Sequence, residues 1–305
     1  MEHQTDNLQT VGDLVRWGAS RLNAAGMHFG HGTDNAADEA RLLVFHALSL
    51  DFEVPEYFYR SRVTPAEREA AIGLIHRRIE ERCPAAYLTG EAWFAGLRFE
   101  VSPDVLVPRS PIAEMIANEF APWCKPDSVK KALDIGTGSG CLAIAIATHL
   151  DVNVDAVDIS PAALAVARRN VHAHDLQDRV ELIESDLYAA LGERKYDLIV
   201  SNPPYVSARS MASLPDEYAH EPSVALAAGD DGLGLIHGIL NTALDYLRPH
   251  GVLVVEAGES AGAVVTAYPD VPFEWVEFEH GGGGVFVIRA TDLSQCRSTI
   301  AGRCA

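Results

Sequence analysis

To present a planar amine or amide to an electrophile, a chain needs fixed hydrogen-bond acceptors and no competing donors. Residues 202–205, Asn-Pro-Pro-Tyr, have that character. Asn202 precedes a proline, which pushes it into extended geometry with its side chain projecting. Pro203 and Pro204 have no N–H to compete, and their fixed φ angles stiffen the turn. What remains is a short row of acceptors, the Asn202 amide oxygen and the Pro203 carbonyl, with Tyr205 as a flat wall. Two acceptors suit the two hydrogens of an –NH₂ group and would turn its nitrogen toward a reaction partner. No strong general base stands beside the motif in the sequence. The motif directly follows Leu198-Ile199-Val200, an apolar run that reads as a buried strand.

A partner for such a slot is suggested by D-I-G-T-G-S-G at residues 134–140. Gly136, Gly138 and Gly140 allow a tight turn and the approach of a ligand with no Cβ in the way. The spacing is G-x-G-x-G rather than G-x-G-x-x-G, which leans away from dinucleotides and from a nicotinamide oxidoreductase. Asp158 lies 22 residues beyond Gly136, about where an acid receives the hydroxyls of a bound ribose. It could equally cap the next helix, a role that Ser160 with Pro161 would also fill. Asp186 ends a third strand, where its carboxylate could accept from an exocyclic adenine amine.

These residues require an alternating scaffold. "KKALDIG", "VNVDAVD", "RVELIESD", "YDLIVSN", "GVLVVEAG", "FEWVEFE" and "GVFVIRA" read as seven strands with helical segments between the earlier ones. That alternation predicts an α/β, Rossmann-like, mostly parallel sheet ending in an antiparallel hairpin, with ligands beyond the carboxyl ends of the strands. The four-glycine run 281–284 is denser than that hairpin needs.

The N-terminal third is helical. Thr10 is placed to cap a helix that Gly26 stops; "DNAADEARLLVFHALSL" has an acidic first turn; and Thr64-Pro65 with Glu67 forms a capping box. Residues 1–85 are expected to be a helical domain that recognises the substrate, 86–109 a β-hairpin linker, 110–290 the catalytic domain and 291–305 a polar tail.

With 305 residues, 48% of them hydrophobic and 22% charged, the chain has the composition of a globular protein. No apolar stretch approaches a membrane span, and the polar N-terminus is no signal peptide, so a cytoplasmic enzyme is expected. The five cysteines are scattered without C-x-x-C, and the pairs His28/His31 and His172/His174 lack further ligands at metal spacing, so no metal is expected. Net charge is −19, and residues 111–305 carry 13 basic against 27 acidic side chains. Such a field counts against nucleic acid and would attract a basic protein, although acidity also serves solubility alone.

Glycine loop, acid and N-P-P-Y together resemble the S-adenosylmethionine-dependent amino-methyltransferases. One branch methylates amines of nucleic-acid bases and another the side-chain amide of glutamine in proteins of the translation apparatus. From about residue 10 to 290, including "EPSVALAAGDDGLG" at 221–234, the chain resembles the glutamine branch. V-P-R-S-P-I, in place of V-P-R-P-E-T, is similar to the members acting on large-subunit ribosomal protein three; those acting on release factors are the alternative. The resemblance implies S-adenosyl-L-methionine as cofactor, held by Asp134, Gly136, Thr137, Gly138, Gly140, Asp158, Asp186 and Asn202, with Asp134 meeting its amino group. It implies catalysis by Asn202, Pro203 and Tyr205, with Pro204 and Arg109 also on the substrate, a basic ribosomal protein. The first domain and ribbon are then expected to form one wall of a protein-binding cleft facing the N-P-P-Y slot. A non-catalytic assembly factor is the reading from a different class.

Overall fold

The computed structural model describes residues 5–51 and 54–301, which divide into two compact units. The first comprises the chain up to Ala92 together with Pro215–His220. Its helices begin where local chemistry predicts. In α1 (Val11–Ala24) the Thr10 hydroxyl accepts from the Asp13 N–H at 3.1 Å while the Asp13 carboxylate accepts from the Thr10 N–H at 3.0 Å. Asn35 caps α2 (Ala36–Ala47), and Thr64 with Glu67 closes a second capping box on α3 (Pro65–Glu81). Their apolar faces bury Leu14, Leu43, Val44 and Ile75.

Charged side chains also lie inside this unit, Arg78 with Glu39 and Glu217. Arg78 is wholly buried, and its guanidinium donates to Glu39 Oε1 at 2.8 Å, Glu217 Oε1 at 3.2 Å and the His28 carbonyl at 2.8 Å. A buried cation is tolerable when its donors are met in this way. Glu217 also accepts from the His28 N–H at 3.0 Å, so Pro215–His220 is built into the first unit.

The hairpin is shorter than the expected span 86–109. Ala85–Thr89 forms a short helix, α4, and only β1 (Glu91–Phe94) and β2 (Leu97–Glu100) pair, around a turn whose Ala95 and Gly96 both have positive φ. Beyond Glu100, Pro103, Pro108 and Pro111 lack the N–H groups a ladder requires, and the chain runs irregularly.

The second unit holds Trp93–Leu214 and everything from Glu221 onward. In chain order its elements are α5 (Ile112–Ala117), β3 (Lys131–Ile135), α6 (Cys141–His149), β4 (Asn153–Asp158), α7 (Pro161–Ala173), β5 (Val180–Glu184) and β6 (Tyr196–Ser201). There follow α8 (Ala208–Met211), α9 (Gly234–Tyr246), β7 (Leu247–Glu256), α10 (Ala261–Ala267), β8 (Glu274–Trp275), β9 (Val285–Arg289), α11 (Ala290–Gln295) and α12 (Arg297–Ala301). The seven-stranded sheet has the order β5-β4-β3-β6-β7-β9-β8. The first five strands are parallel, while β9 runs antiparallel to both β7 and β8. Helices cover both faces, so successive strand residues such as Ala132 and Leu133 enter different halves of the core.

Residues 290–301 are not the polar tail expected from 291 onward. They fold into α11 and α12, and Leu293 and Ile300 are buried in the core with residues of α9. The signal was one apolar residue per two helical turns, too sparse to stand out. Among the described residues no helix is long and apolar enough to cross a membrane.

Candidate active site

The chain lays down β3, moves outward to β4 and β5, then returns to place β6 on the other side of β3. Open α/β sheets bind ligands at such a reversal, beyond the carboxyl ends of the two strands. There the glycine loop leaves β3 and N-P-P-Y leaves β6, with Ile135 opposite Ser201 in register.

The glycine loop is bent back onto β4. The N–H groups of Gly136 and Thr137 both donate to the Val157 carbonyl at 2.9 Å, and Gly138 N–H donates to Asp158 Oδ2 at 2.8 Å. Gly136 and Gly138 have φ of 73° and 54°, and a Cβ added at either would meet no protein atom within 4 Å, because both face open space. Gly140 differs. A Cβ there would press on Ala167 at 3.3 Å, so this glycine serves the packing of α6 against α7 and does not line the cavity.

That cavity, of about 430 Å³, is within the range of small-molecule sites. Gly136, Thr137, Gly138, Asp158 and Asp186 line one part of it. Asn202, Pro203, Pro204 and Arg109 line another. Asp158 Oδ1 accepts from the Ser160 N–H at 2.9 Å, while the Ser160 hydroxyl itself caps α7. The helix-cap role is therefore filled by Ser160, and burial raises the Asp158 carboxyl above its ordinary value.

Asp134 lies beneath the loop, wholly buried. Its Oδ2 accepts from the Thr137 hydroxyl at 2.6 Å and the Ala143 N–H at 3.2 Å, whereas Oδ1 has no hydrogen-bond partner among the described residues. Burial pushes its pKa up to about 7 in spite of those two donors. A buried carboxylate oxygen without a donor suits a ligand that brings a cationic one.

Tyr205 does not line this cavity. Its hydroxyl donates to Glu256 Oε1 at 3.2 Å, and its carbonyl accepts from the Ser260 hydroxyl at 2.7 Å. Thus an acid does stand beside the motif in space, although none does in sequence. Glu256 is buried and also accepts from the Ser110 hydroxyl at 2.5 Å; burial lifts its pKa to about 7. Arg109 is engaged as well: its guanidinium binds both oxygens of Glu221, at 2.5 and 2.6 Å, and Val107 N–H adds a third donor at 3.1 Å. Sequence reading missed Glu256, Ser260 and Glu221. Glu256 ends β7 as Asp158 ends β4, so searching every strand end for an acid would have found it.

The family description "Methyltransferase small domain" matches residues 117–218, and "PrmC N-terminal domain" matches residues 13–90. The ribosomal protein uL3 glutamine methyltransferase of Xanthomonas campestris pv. campestris is 49% identical over 294 residues, which cover 94% of this chain and 94% of that one. The protein of the same name from Bordetella pertussis is 49% identical, with 94% and 97% covered, and that from Xylella fastidiosa 47%, with 97% and 95%. With nearly half of all residues shared along nearly the whole of both chains, the chain belongs to the ribosomal protein uL3 glutamine methyltransferase family.

Proposed function

We propose that this protein transfers a methyl group from S-adenosyl-L-methionine to the side-chain amide nitrogen (N5) of a glutamine in ribosomal protein uL3. The observation that carries the reading is the cavity shared by the glycine loop and N-P-P-Y, in a chain 47–49% identical to relatives named for that reaction. S-adenosyl-L-methionine supplies an electrophilic methyl on a sulfonium.

Asp134 Oδ1, buried and without a donor, would take the cofactor's ammonium. Gly136 and Gly138 would admit its methionine part against bare backbone. Asp158 and Asp186, both on the cavity wall, would receive the ribose hydroxyls and the adenine amine. The Asn202 oxygen and the Pro203 carbonyl would hold the two amide hydrogens of the target, with Tyr205 packing on its side chain from outside the cofactor's cavity. An amide nitrogen is a poor nucleophile because its lone pair is delocalised, and its hydrogens become more acidic as the new bond forms. Acceptors aimed at those hydrogens tighten their hold in the transition state, which lowers the barrier. Holding nitrogen and methyl in line supplies much of the remainder.

A single glutamine offers few contacts, so the target protein is selected by surface further out, and the first unit is assigned that task. The acidity of residues 111–305 suits a basic ribosomal protein. The test is purified protein with tritiated cofactor, offered uL3, release factors, DNA and RNA in separate reactions, followed by mass spectrometry. Label on one glutamine of uL3 is expected. Label only in release factors would move the assignment within the chemistry, and label in nucleic acid would overturn it.

A further inference from the structure

The tyrosine of N-P-P-Y is gripped by a loop that the reaction as described does not use. Its hydroxyl rests on Glu256, its carbonyl on the Ser260 hydroxyl, and its ring lies so close over Gly258 that a Cβ there would overlap the ring. Gly258 in turn lies under the four-glycine run. A Cβ on Gly284 would overlap the Gly258 carbonyl, and the Gly284 carbonyl accepts from the Ala257 N–H at 2.7 Å. Tyr205, Gly258 and Gly284 thus form three layers in contact, which accounts for glycine at positions where a hairpin alone would not require it.

Glu256 is the centre of this grip. Each carboxylate oxygen takes one hydroxyl hydrogen: Tyr205 on Oε1, Ser110 on Oε2. Ser110 lines the cavity, so the same carboxylate holds a cavity residue and the motif tyrosine. We propose that ionised Glu256 is a positioning residue for methyl transfer, fixing Tyr205 and Ser110 together so that the N-P-P-Y turn keeps its acceptors aimed at the target amide. This rests on the reading that N-P-P-Y receives that amide.

Protonation undoes the arrangement. A carboxylate accepts at both oxygens, whereas a carboxylic acid keeps one free acceptor and presents a hydrogen on the other oxygen. One of the two hydroxyls would then lose its acceptor. The charged group facing Glu256 is Arg109, whose charge is shared with Glu221; Tyr205 and Ser110 contribute hydroxyls, β9 places Val285 opposite, and the glycine run is neutral. With burial setting the carboxyl near pH 7, the grip weakens as pH falls through neutrality.

The experiment measures kcat and KM for uL3 at saturating cofactor from pH 5.5 to 9, with cofactor affinity by calorimetry, for wild type, Glu256→Gln, Tyr205→Phe and the double variant. Saturating cofactor removes the share of any group that acts only in cofactor binding. Glu256→Gln should lower kcat about ten- to a hundredfold, the cost of a hydrogen bond to a charged group, with cofactor affinity unchanged and the acidic limb of the kcat profile gone. Tyr205→Phe should move that limb to higher pH, since Glu256 loses a donor that favours its ionised form, and this variant suffices if Glu256→Gln does not fold. The double variant should lose no more than the worse single one. A Glu256→Gln enzyme with wild-type kcat and an intact limb, or losses confined to KM or cofactor affinity, or fully additive losses, would overturn the proposal. Absence of transfer to uL3 by the wild type would instead remove the functional reading on which it stands.

Discussion

The Ser201 hydroxyl donates to the Ile135 carbonyl at 2.8 Å, inside the protein, at the point where β6 ends and β3 gives way to the glycine loop. This bond fixes the offset between the two segments that build the cavity, in addition to the ladder that pairs Ile135 with Ser201. Ser201→Ala should therefore cost about 1 kcal/mol of stability and lower turnover more than cofactor affinity. Denaturant unfolding and steady-state kinetics check this; a variant unchanged in both would remove the bond from the account.

Asn202→Ala tests the acceptor row directly. The substitution leaves the two prolines and the turn in place and removes the amide oxygen. Turnover should fall on the order of a hundredfold or more, the scale for losing one preorganised hydrogen-bonding group at a reacting centre, while cofactor affinity stays close to wild type. Near-normal turnover would end the proposed role, and would leave room for a protein that binds ribosomal protein without modifying it.

On the proposed function, Asp134 would couple stability to cofactor binding. Its folded-state pKa of about 7 lies above the ordinary value of about 3.9. The favourable protonated state is thus fully present below the unfolded pKa and is lost as pH rises through the folded one. Asp134→Asn keeps an acceptor for Thr137 and Ala143 and removes the buried charge. The cofactor-free variant should be more stable than wild type, by an amount that grows from pH 5 to 7 and levels above that, at roughly 2–4 kcal/mol. Cofactor affinity should show the opposite trend: wild type binds more weakly as pH drops below 7, and the variant binds weakly at every pH. Thermal unfolding and calorimetry across that range decide it, and a variant with wild-type affinity would detach Asp134 from the cofactor.

What the sequence made legible follows from the range of each signal. The Thr10 cap and the capping box Thr64–Glu67 lie within four residues of chain, and the central strands carry short apolar runs such as Leu198-Ile199-Val200 and Val252-Leu253-Val254-Val255. Cavity residues such as Gly138, Asp158 and Asn202 could be picked out because strand ends converge in this fold. Contacts between distant segments left no local trace. Tyr205 and Glu256 are 51 residues apart, Arg109 and Glu221 112, and Arg78 and Glu217 139. The glycine run is of the same kind. Its composition was visible, but two of its four glycines answer to the approach of Gly284 to Gly258 and of Gly282 to Pro111, which only the folded chain brings about.

The pairing of Arg78 with Glu217 decides how target selection should be tested. If the first unit chooses the target protein, grafting that unit from a release-factor enzyme onto this catalytic unit should redirect methylation to release factors. The obvious graft, residues up to Ala92, would be incomplete, because Pro215–His220 belongs to the same unit. Glu217 is buried and takes donors from Arg78, Arg82 and the His28 N–H. Pairing it with a foreign surface would strand a buried charge, a defect of about 3–5 kcal/mol. A graft that ends at Ala92 should therefore be unstable and poorly active on either target, and its failure would say nothing of selectivity. A graft that also carries the donor's counterpart of 215–220 should fold with near-parental stability and transfer methyl to release factors in preference to uL3. Retained preference for uL3 in that well-folded second graft would mean that the catalytic unit chooses the target itself.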